Sequence, residues 1–248
     1  MSRIVEEIGK IGIVPVIALE DAADAHALAK ALDEGGIPCA EVTFRTGAAG
    51  EAIRVMSEQF PDMLVGAGTV LTVQQAREAS EAGAKFIVSP GLNPKVVRYC
   101  TENGIPVIPG CSCPSDIEAA MELGLDTVKF FPAEAAGGLP MIRAMSAPYG
   151  GVKFMPTGGI NEKNLNAYLD FPKVIACGGS WMVAKDLLAA KDWKKVTDLC
   201  REAVRTMLGF SLAHVGINAM NEAEAERTAA LFGRAFGFSI REGGRSVF

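Results

Sequence analysis

The chain has 248 residues, 49% hydrophobic and 21% charged, with a formal net charge of -5 at pH 7. That length suits one large α/β domain, or one domain with an appendage, and supplies ample apolar material for a core. The acidic balance excludes a basic surface for nucleic acid, residues 1–7 carry acids where a signal peptide would be apolar, and no run approaches the roughly 18 apolar residues of a membrane span. The expectation is a cytoplasmic protein with neither nucleic acid nor membrane as partner.

Along the chain, residues 2–11 read as a short amphipathic helix and 13–19 as a first strand. Residues 21–35 are alanine-rich and helical, stopped by Gly35-Gly36. Strands then follow at 39–44, 64–67, 86–88, 106–108, 127–131, 152–155 and 174–177. Helices separate them at 48–59, 73–82, 94–103, 114–123, 139–145 and 162–169, and two more near 181–188 and 192–208 come after the last. About eight short strands alternating with helices over roughly 200 residues predict a parallel (β/α)8 barrel. An open doubly wound sheet is the alternative, but Leu19-Glu20-Asp21-Ala22 is not the glycine-rich turn expected after its first strand.

Lys129 stands out because it interrupts an apolar, β-favouring run, Thr127-Val128-Lys129-Phe130-Phe131. Alternation places Thr127, Lys129 and Phe131 on one face and Val128 and Phe130 on the other. If the second face packs against helices, Lys129 points into the space the strands enclose. A buried amine can shed its proton and attack carbonyl carbon. The plain alternative is a lysine that snorkels to solvent or pairs with a carboxylate.

Chemistry in a barrel gathers where strands end. Glu41, Thr43 and Arg45 share one face at the end of the second strand. Arg45 suits a substrate carboxylate and Glu41 suits proton transfer, although an ordinary Glu41–Arg45 ion pair would explain both. Gly66-Ala67-Gly68-Thr69 closes the third strand with small residues and a hydroxyl, and Ser89-Pro90-Gly91 closes the fourth. Pro156-Thr157-Gly158-Gly159-Ile160 follows the seventh strand, and Gly178-Gly179-Ser180 is read as following the eighth, ahead of a short helix near Trp181. Loops at those two places often cradle phosphate through backbone amides.

Seven segments in order carry a resemblance: Glu41-Val42-Thr43-Phe44-Arg45-Thr46, Gly66-Ala67-Gly68-Thr69-Val70, Ser89-Pro90-Gly91, Ile108-Pro109-Gly110, Val128-Lys129-Phe130-Phe131-Pro132-Ala133, Pro156-Thr157-Gly158-Gly159-Ile160 and Gly178-Gly179-Ser180-Trp181. To about Gly209 the chain resembles the class I 2-keto-3-deoxy-6-phosphogluconate / 4-hydroxy-2-oxoglutarate aldolases, metal-independent lyases. The resemblance implies a Schiff base at Lys129, proton transfer by Glu41, and pyruvoyl or substrate contacts from Arg45, Thr69, Pro90, Phe131 and Thr157. It further implies a phosphate cradle of Gly158, Gly159, Gly179 and Ser180, and a homotrimer. Cys111 and Cys113 depart from the family pattern, standing where relatives often carry an apolar or hydroxyl residue. With Cys39, Cys100, Cys177 and Cys200 they lack the spacing of a zinc or redox pair and are expected to stay reduced.

Residues 210–248 fall outside that resemblance. Residues 210–218 read as a strand, 222–236 as a helix and 238–240 as a strand, similar to the opening βαβ piece of a glyoxalase-type (vicinal oxygen chelate) module. Such a short piece is incomplete, and His214 alone cannot hold a metal that wants three or four ligands. His26, in an alanine-rich helix, reads as a surface or packing residue.

These readings converge on reversible cleavage of 2-keto-3-deoxy-6-phosphogluconate to pyruvate and glyceraldehyde 3-phosphate, with 4-hydroxy-2-oxoglutarate as a smaller substrate. No cofactor or metal is required, because the imine is the electron sink. A phosphosugar isomerase with Glu41 as base, and a non-catalytic sugar-phosphate-binding protein, are the competing readings.

Overall fold

The computed structural model describes residues 2–209 and 219–236. The chain divides into two units, Met1–Gly209 and Phe210–Phe248. The first opens with helix α1 (Arg3–Ile11), whose first turn is capped by Ser2 Oγ accepting from the Val5 amide and whose end is closed by Gly12 at φ 77°. Strand β1 (Ile13–Ile17) and helix α2 (Ala25–Glu34) follow, then β2 (Cys39–Thr43), α3 (Ala49–Gln59), β3 (Leu64–Gly68) and α4 (Val73–Glu81). The alternation continues through β4 (Phe86–Val88), α5 (Pro94–Glu102), β5 (Val107–Ile108), α6 (Pro114–Glu122), β6 (Thr127–Phe130), α7 (Gly138–Ser146), β7 (Lys153–Pro156), α8 (Leu165–Leu169) and β8 (Cys177–Gly179). Helices α9 (Lys185–Ala189) and α10 (Trp193–Leu208) complete the unit.

Among the described residues all the strand pairings are parallel. Six strands form one curled sheet in the order β5-β4-β3-β2-β1-β8, and β6 pairs with β7. Single bridges also link Gly110 with Lys129 and Thr157 with Gly178. Strands β2 and β3 are buried along their whole length, as expected of parallel strands covered on both faces. The register sets Glu41 level with Val16 on one side and Gly66 on the other. Val128 and Phe130 are buried at 1% and 0% exposure, on the face opposite Lys129.

Several predicted boundaries move. The first strand stops at Ile17, and the helix expected over 21–35 splits into a 3-10 turn, Ala22–Asp24, and α2. The helix expected over 162–169 contracts to α8, because Asn161 and Asn164 spend their side chains on local turns: the Lys163 amide donates to Asn161 Oδ1 and the Asn161 amide to Asn164 Oδ1. Extended backbone at Ala184 divides the helix expected over 181–188 into a 3-10 turn, Trp181–Val183, and α9. The largest shift concerns the eighth strand. It runs over 177–179 instead of 174–177, so Gly178 and Gly179 lie within it, while Val174 makes only an isolated bridge to Phe154. Side-chain packing accounts for the glycines: a Cβ at Gly178 would lie 2.3 Å from Thr157 Oγ1, and one at Gly179 would lie 1.9 Å from the Trp181 ring.

In the second unit, helix α11 (Glu222–Phe236) starts with a reciprocal cap, Asn221 Oδ1 accepting from the Glu224 amide and Glu224 Oε2 from the Met220 amide. The strands read over 210–218 and 238–240, and His214 with them, lie outside the described residues. Among the described residues no helix is long and apolar enough to cross a membrane.

Close packing at β3 generates a test. A Cβ at Gly66 would come within 2.4 Å of the Phe86 ring, which is 0% exposed and has nowhere to move. Gly66→Ala should destabilise the first unit by about 1–3 kcal/mol, the usual cost of overpacking, as a lower urea midpoint at unchanged slope.

Candidate active site

Lys129 projects from β6 and Glu41 from β2, two strands that are not neighbours, and the side chains meet across the interior. Lys129 Nζ donates to Glu41 Oε1 at 3.1 Å and lies 3.5 Å from Oε2. The lysine side chain is 6% exposed and the glutamate 1%, so both charges have left water and each depends on the other. Space for the carboxylate comes from a neighbour without a side chain: a Cβ at Gly68 would lie 2.3 Å from Glu41 Oε1. Cys39, two residues before Glu41 on β2, has its thiol pushed well above the ordinary range by burial and then by the nearby Glu41 charge.

The lysine is held from both sides. Its amide donates to the Pro109 carbonyl at 2.8 Å, and its own carbonyl accepts from the Cys111 amide at 2.8 Å. The Phe131 ring lies with its centroid 5.5 Å from Nζ, within cation–π range. Gly110 is pressed against the loop after β4, a Cβ there falling 2.0 Å from the Pro90 carbonyl oxygen. Thr69 follows Gly68 and adopts φ 55°, a left-handed conformation that a β-branched residue rarely takes.

Phe131 also lines a cavity of about 450 Å³ at the strand ends. Arg45, Thr157, Gly158, Gly159, Gly179 and Ser180 share its wall. Gly158 and Gly159 have φ 104° and 81°, so this turn needs glycine for its backbone as well as for space. Thr157 is 6% exposed, and its Oγ1 has no hydrogen-bond partner among the described residues. A buried hydroxyl on the wall of a cavity is suited to a ligand's polar atom. Sequence reasoning missed Lys185, which lines the same cavity and sits 3.5 Å from Glu20 with both side chains exposed. A lone lysine in the middle of the helix expected over 181–188 carried no signal.

The predicted residues thus fall into a buried pair, Lys129 with Glu41, and a cavity group joined to it by Phe131. Thr69 and Pro90 do not line that cavity; they flank the pair through Gly68 and Gly110. The ordinary Glu41–Arg45 ion pair does not form, because Glu41 is committed to Lys129 while Arg45 lies past the strand end and is exposed. All six cysteines are free. Burial, with the charges of Asp116 and Cys113 behind it, pushes Cys111 up to about 12. Among the described residues no His, Cys, Asp and Glu side chains gather in a group of three that could hold a metal ion.

The pair's burial makes a stability prediction. Glu41→Leu leaves an unpaired buried ammonium and should cost about 3–5 kcal/mol in urea unfolding, whereas Glu41→Leu combined with Lys129→Met should recover most of that loss. A double variant as unstable as the single one would show that the two charges are not coupled.

The family model for KDPG and KHG aldolase matches residues 4–199. The chain is 50% identical over 205 residues to 2-dehydro-3-deoxy-phosphogluconate aldolase of Treponema pallidum, covering 83% of this chain and 98% of that one. It is 46% identical over 192 residues to the KHG/KDPG aldolase of Escherichia coli K12, covering 77% and 90%. A crystal structure of KDPG aldolase from Legionella pneumophila, with pyruvate captured at low pH as a covalent carbinolamine intermediate, superposes with a TM-score of 0.78 at 40% identity, covering 80% of this chain and 97% of that one. The motifs read from the sequence and these three likenesses agree: this chain belongs to the KDPG and KHG aldolase family.

Proposed function

We propose that the chain is a class I aldolase that cleaves 2-keto-3-deoxy-6-phosphogluconate to pyruvate and glyceraldehyde 3-phosphate, and 4-hydroxy-2-oxoglutarate to pyruvate and glyoxylate. The observation that carries this reading is the buried contact of Lys129 Nζ with Glu41 Oε1 at 3.1 Å, beside a cavity walled by two glycine pairs. A proton passed from lysine to glutamate leaves a free amine. That amine attacks the ketone carbon, and loss of water gives an imine whose positive nitrogen draws electrons from the adjacent carbons.

Glu41, returned to its carboxylate form, takes the proton from the hydroxyl beside the breaking bond through a water. The carbon–carbon bond opens, its electrons enter the imine as an enamine, and the aldehyde departs. Glu41 gives the proton back to the enamine carbon, and water hydrolyses the resulting imine to free pyruvate. In this reading Arg45, Thr69 and Pro90 contact the pyruvoyl end, while Phe131 and Thr157 line the substrate. Gly158, Gly159, Gly179 and Ser180 cradle the phosphate. The cavity lining supports the cradle, with Gly179 acting through the Trp181 ring it leaves room for.

The same reading takes the curled sheet and the β6-β7 pair as one (β/α)8 barrel over residues 1–209. The Lys129–Pro109 and Cys111–Lys129 backbone bonds and the Thr157–Gly178 bridge support it. Residues 210–248 are read as an incomplete glyoxalase-like βαβ extension, for which helix α11 is the supporting element. A homotrimer follows from the family resemblance.

Pyruvate with borohydride should add mass to the peptide containing Lys129, and Lys129→Ala should abolish the addition. Labelling at another lysine would sink the assignment, and no labelling at all would favour an isomerase or a binding protein. Glu41→Gln should slow cleavage by roughly 10²-fold to 10⁴-fold, the usual worth of a placed acid/base, while trapping read after long incubation still labels Lys129, the amine then losing its proton to water instead of to residue 41.

A further inference from the structure

Two side chains with no part in these steps join the loop after β6 to α8, the helix that follows the loop after β7. Glu134 lies in the first, four residues beyond the end of β6, and Tyr168 lies in α8, beyond the second. The Tyr168 hydroxyl donates to Glu134 Oε1 in a short contact. Tyr168 is 2% exposed, and its phenol is held protonated, as a donor, by burial first, then by this hydrogen bond and the Glu134 charge.

The glutamate's stem and head do different things. Its Cγ and Cβ occupy the space beside Gly159, at 2.6 and 2.7 Å from where a Cβ would sit. Its carboxylate turns toward Gly138 instead, with Oε1 3.2 Å from the corresponding point there and the Tyr168 hydroxyl at the same distance. Backbone bonds follow the same path: the Ala133 amide donates to the Thr157 carbonyl at 2.8 Å and the Glu134 amide to the Gly158 carbonyl at 3.0 Å. From the other side, Asn164 Nδ2 and Asn161 Nδ2 donate to the Gly159 carbonyl at 3.0 and 3.3 Å.

We propose that Glu134 and Tyr168 form a tether that positions the Gly158-Gly159 turn and holds the Glu134 carboxylate back from the substrate's phosphate. The proposal rests on the aldolase reading and adds a specificity-determining pair to it. A carboxylate beside an anion cradle opposes binding of a dianion unless it is kept turned away. Tyr168 supplies that restraint while satisfying its own buried hydroxyl. The tether also ties the phosphate turn to the strand that bears Lys129, so that a phosphate seated at Gly158-Gly159 bears on the alignment of the reacting carbon. Both residues are positioning residues, because neither reaches the reacting atoms.

The test uses the full chain and compares kcat/KM for 2-keto-3-deoxy-6-phosphogluconate with that for 4-hydroxy-2-oxoglutarate, which carries no phosphate. Tyr168→Phe frees the charged carboxylate and should lower the ratio roughly tenfold, mainly through the KM of the phosphorylated substrate. Adding Glu134→Gln removes the charge and should restore the ratio to within about threefold of wild type. Loss of both activities in parallel, or no recovery in the double variant, would overturn the tether. If Tyr168→Phe does not fold, Glu134→Ala against Glu134→Gln decides: alanine should lower the ratio and glutamine, which keeps the acceptor, should preserve it. An equal effect of the two overturns the proposal. Borohydride trapping on the wild type separates this failure from that of the aldolase reading, since absence of label at Lys129 overturns the reading itself.

Discussion

Two opposite charges removed from water and left to satisfy each other set the terms for the rest of this molecule. An ammonium and a carboxylate at 6% and 1% exposure cost several kcal/mol apiece to desolvate, and their attraction offsets that only in good geometry. Geometry here depends on elements far apart in sequence. Glu41 takes its height from the register of β2 against β1 and β3, and Lys129 takes its height from backbone bonds to Pro109 and Cys111. Gly68 and Gly110 let neighbouring strands and loops close around the pair without side chains in the way. The fold and the chemistry therefore share one requirement, a fixed height for each of two charged residues.

The cavity at the strand ends is built by a different logic, and its glycine pairs do not do the same work. Gly158 and Gly159 are needed for a turn with positive φ, so their role belongs to the backbone. Gly178 and Gly179 lie in a strand and make room for Thr157 and Trp181, so their role belongs to packing. Similar dipeptides thus serve a conformational purpose in one loop and a steric one in the neighbouring strand.

Much of this was legible in the residues. Period-2 alternation over 127–131 pointed Lys129 inward, and the small run Gly66-Ala67-Gly68 announced a close approach. Which group approaches was not legible, because the carboxylate over Gly68 is fixed by long-range register and not by local spacing. The same limit explains why Glu41 could be matched to the nearby Arg45, four residues away, instead of to a lysine 88 residues on. It also explains the slip at β8: the apolar run 174–177 looked more strand-like than Cys177–Gly179, and pairing with β1 overrode that preference. Glu134 and Tyr168 left no trace in the sequence at all. A glutamate after Pro132-Ala133 and a tyrosine in a short helix are ordinary until two positions 34 apart in the chain are folded together.

Thr69 shows where this economy is vulnerable. A threonine at φ 55° sits in a conformation that glycine or asparagine adopts at less cost, and strain of this kind is worth about 1–3 kcal/mol. Redesign guided only by stability would replace it early, since relieving a left-handed position is among the cheaper gains available. The replacement would also remove a hydroxyl that the proposed function puts at the pyruvoyl end of the substrate. Under the proposed function, thermal robustness and turnover are set against each other at a single backbone angle, and screens of this chain for heat tolerance need a parallel activity screen to see that conflict.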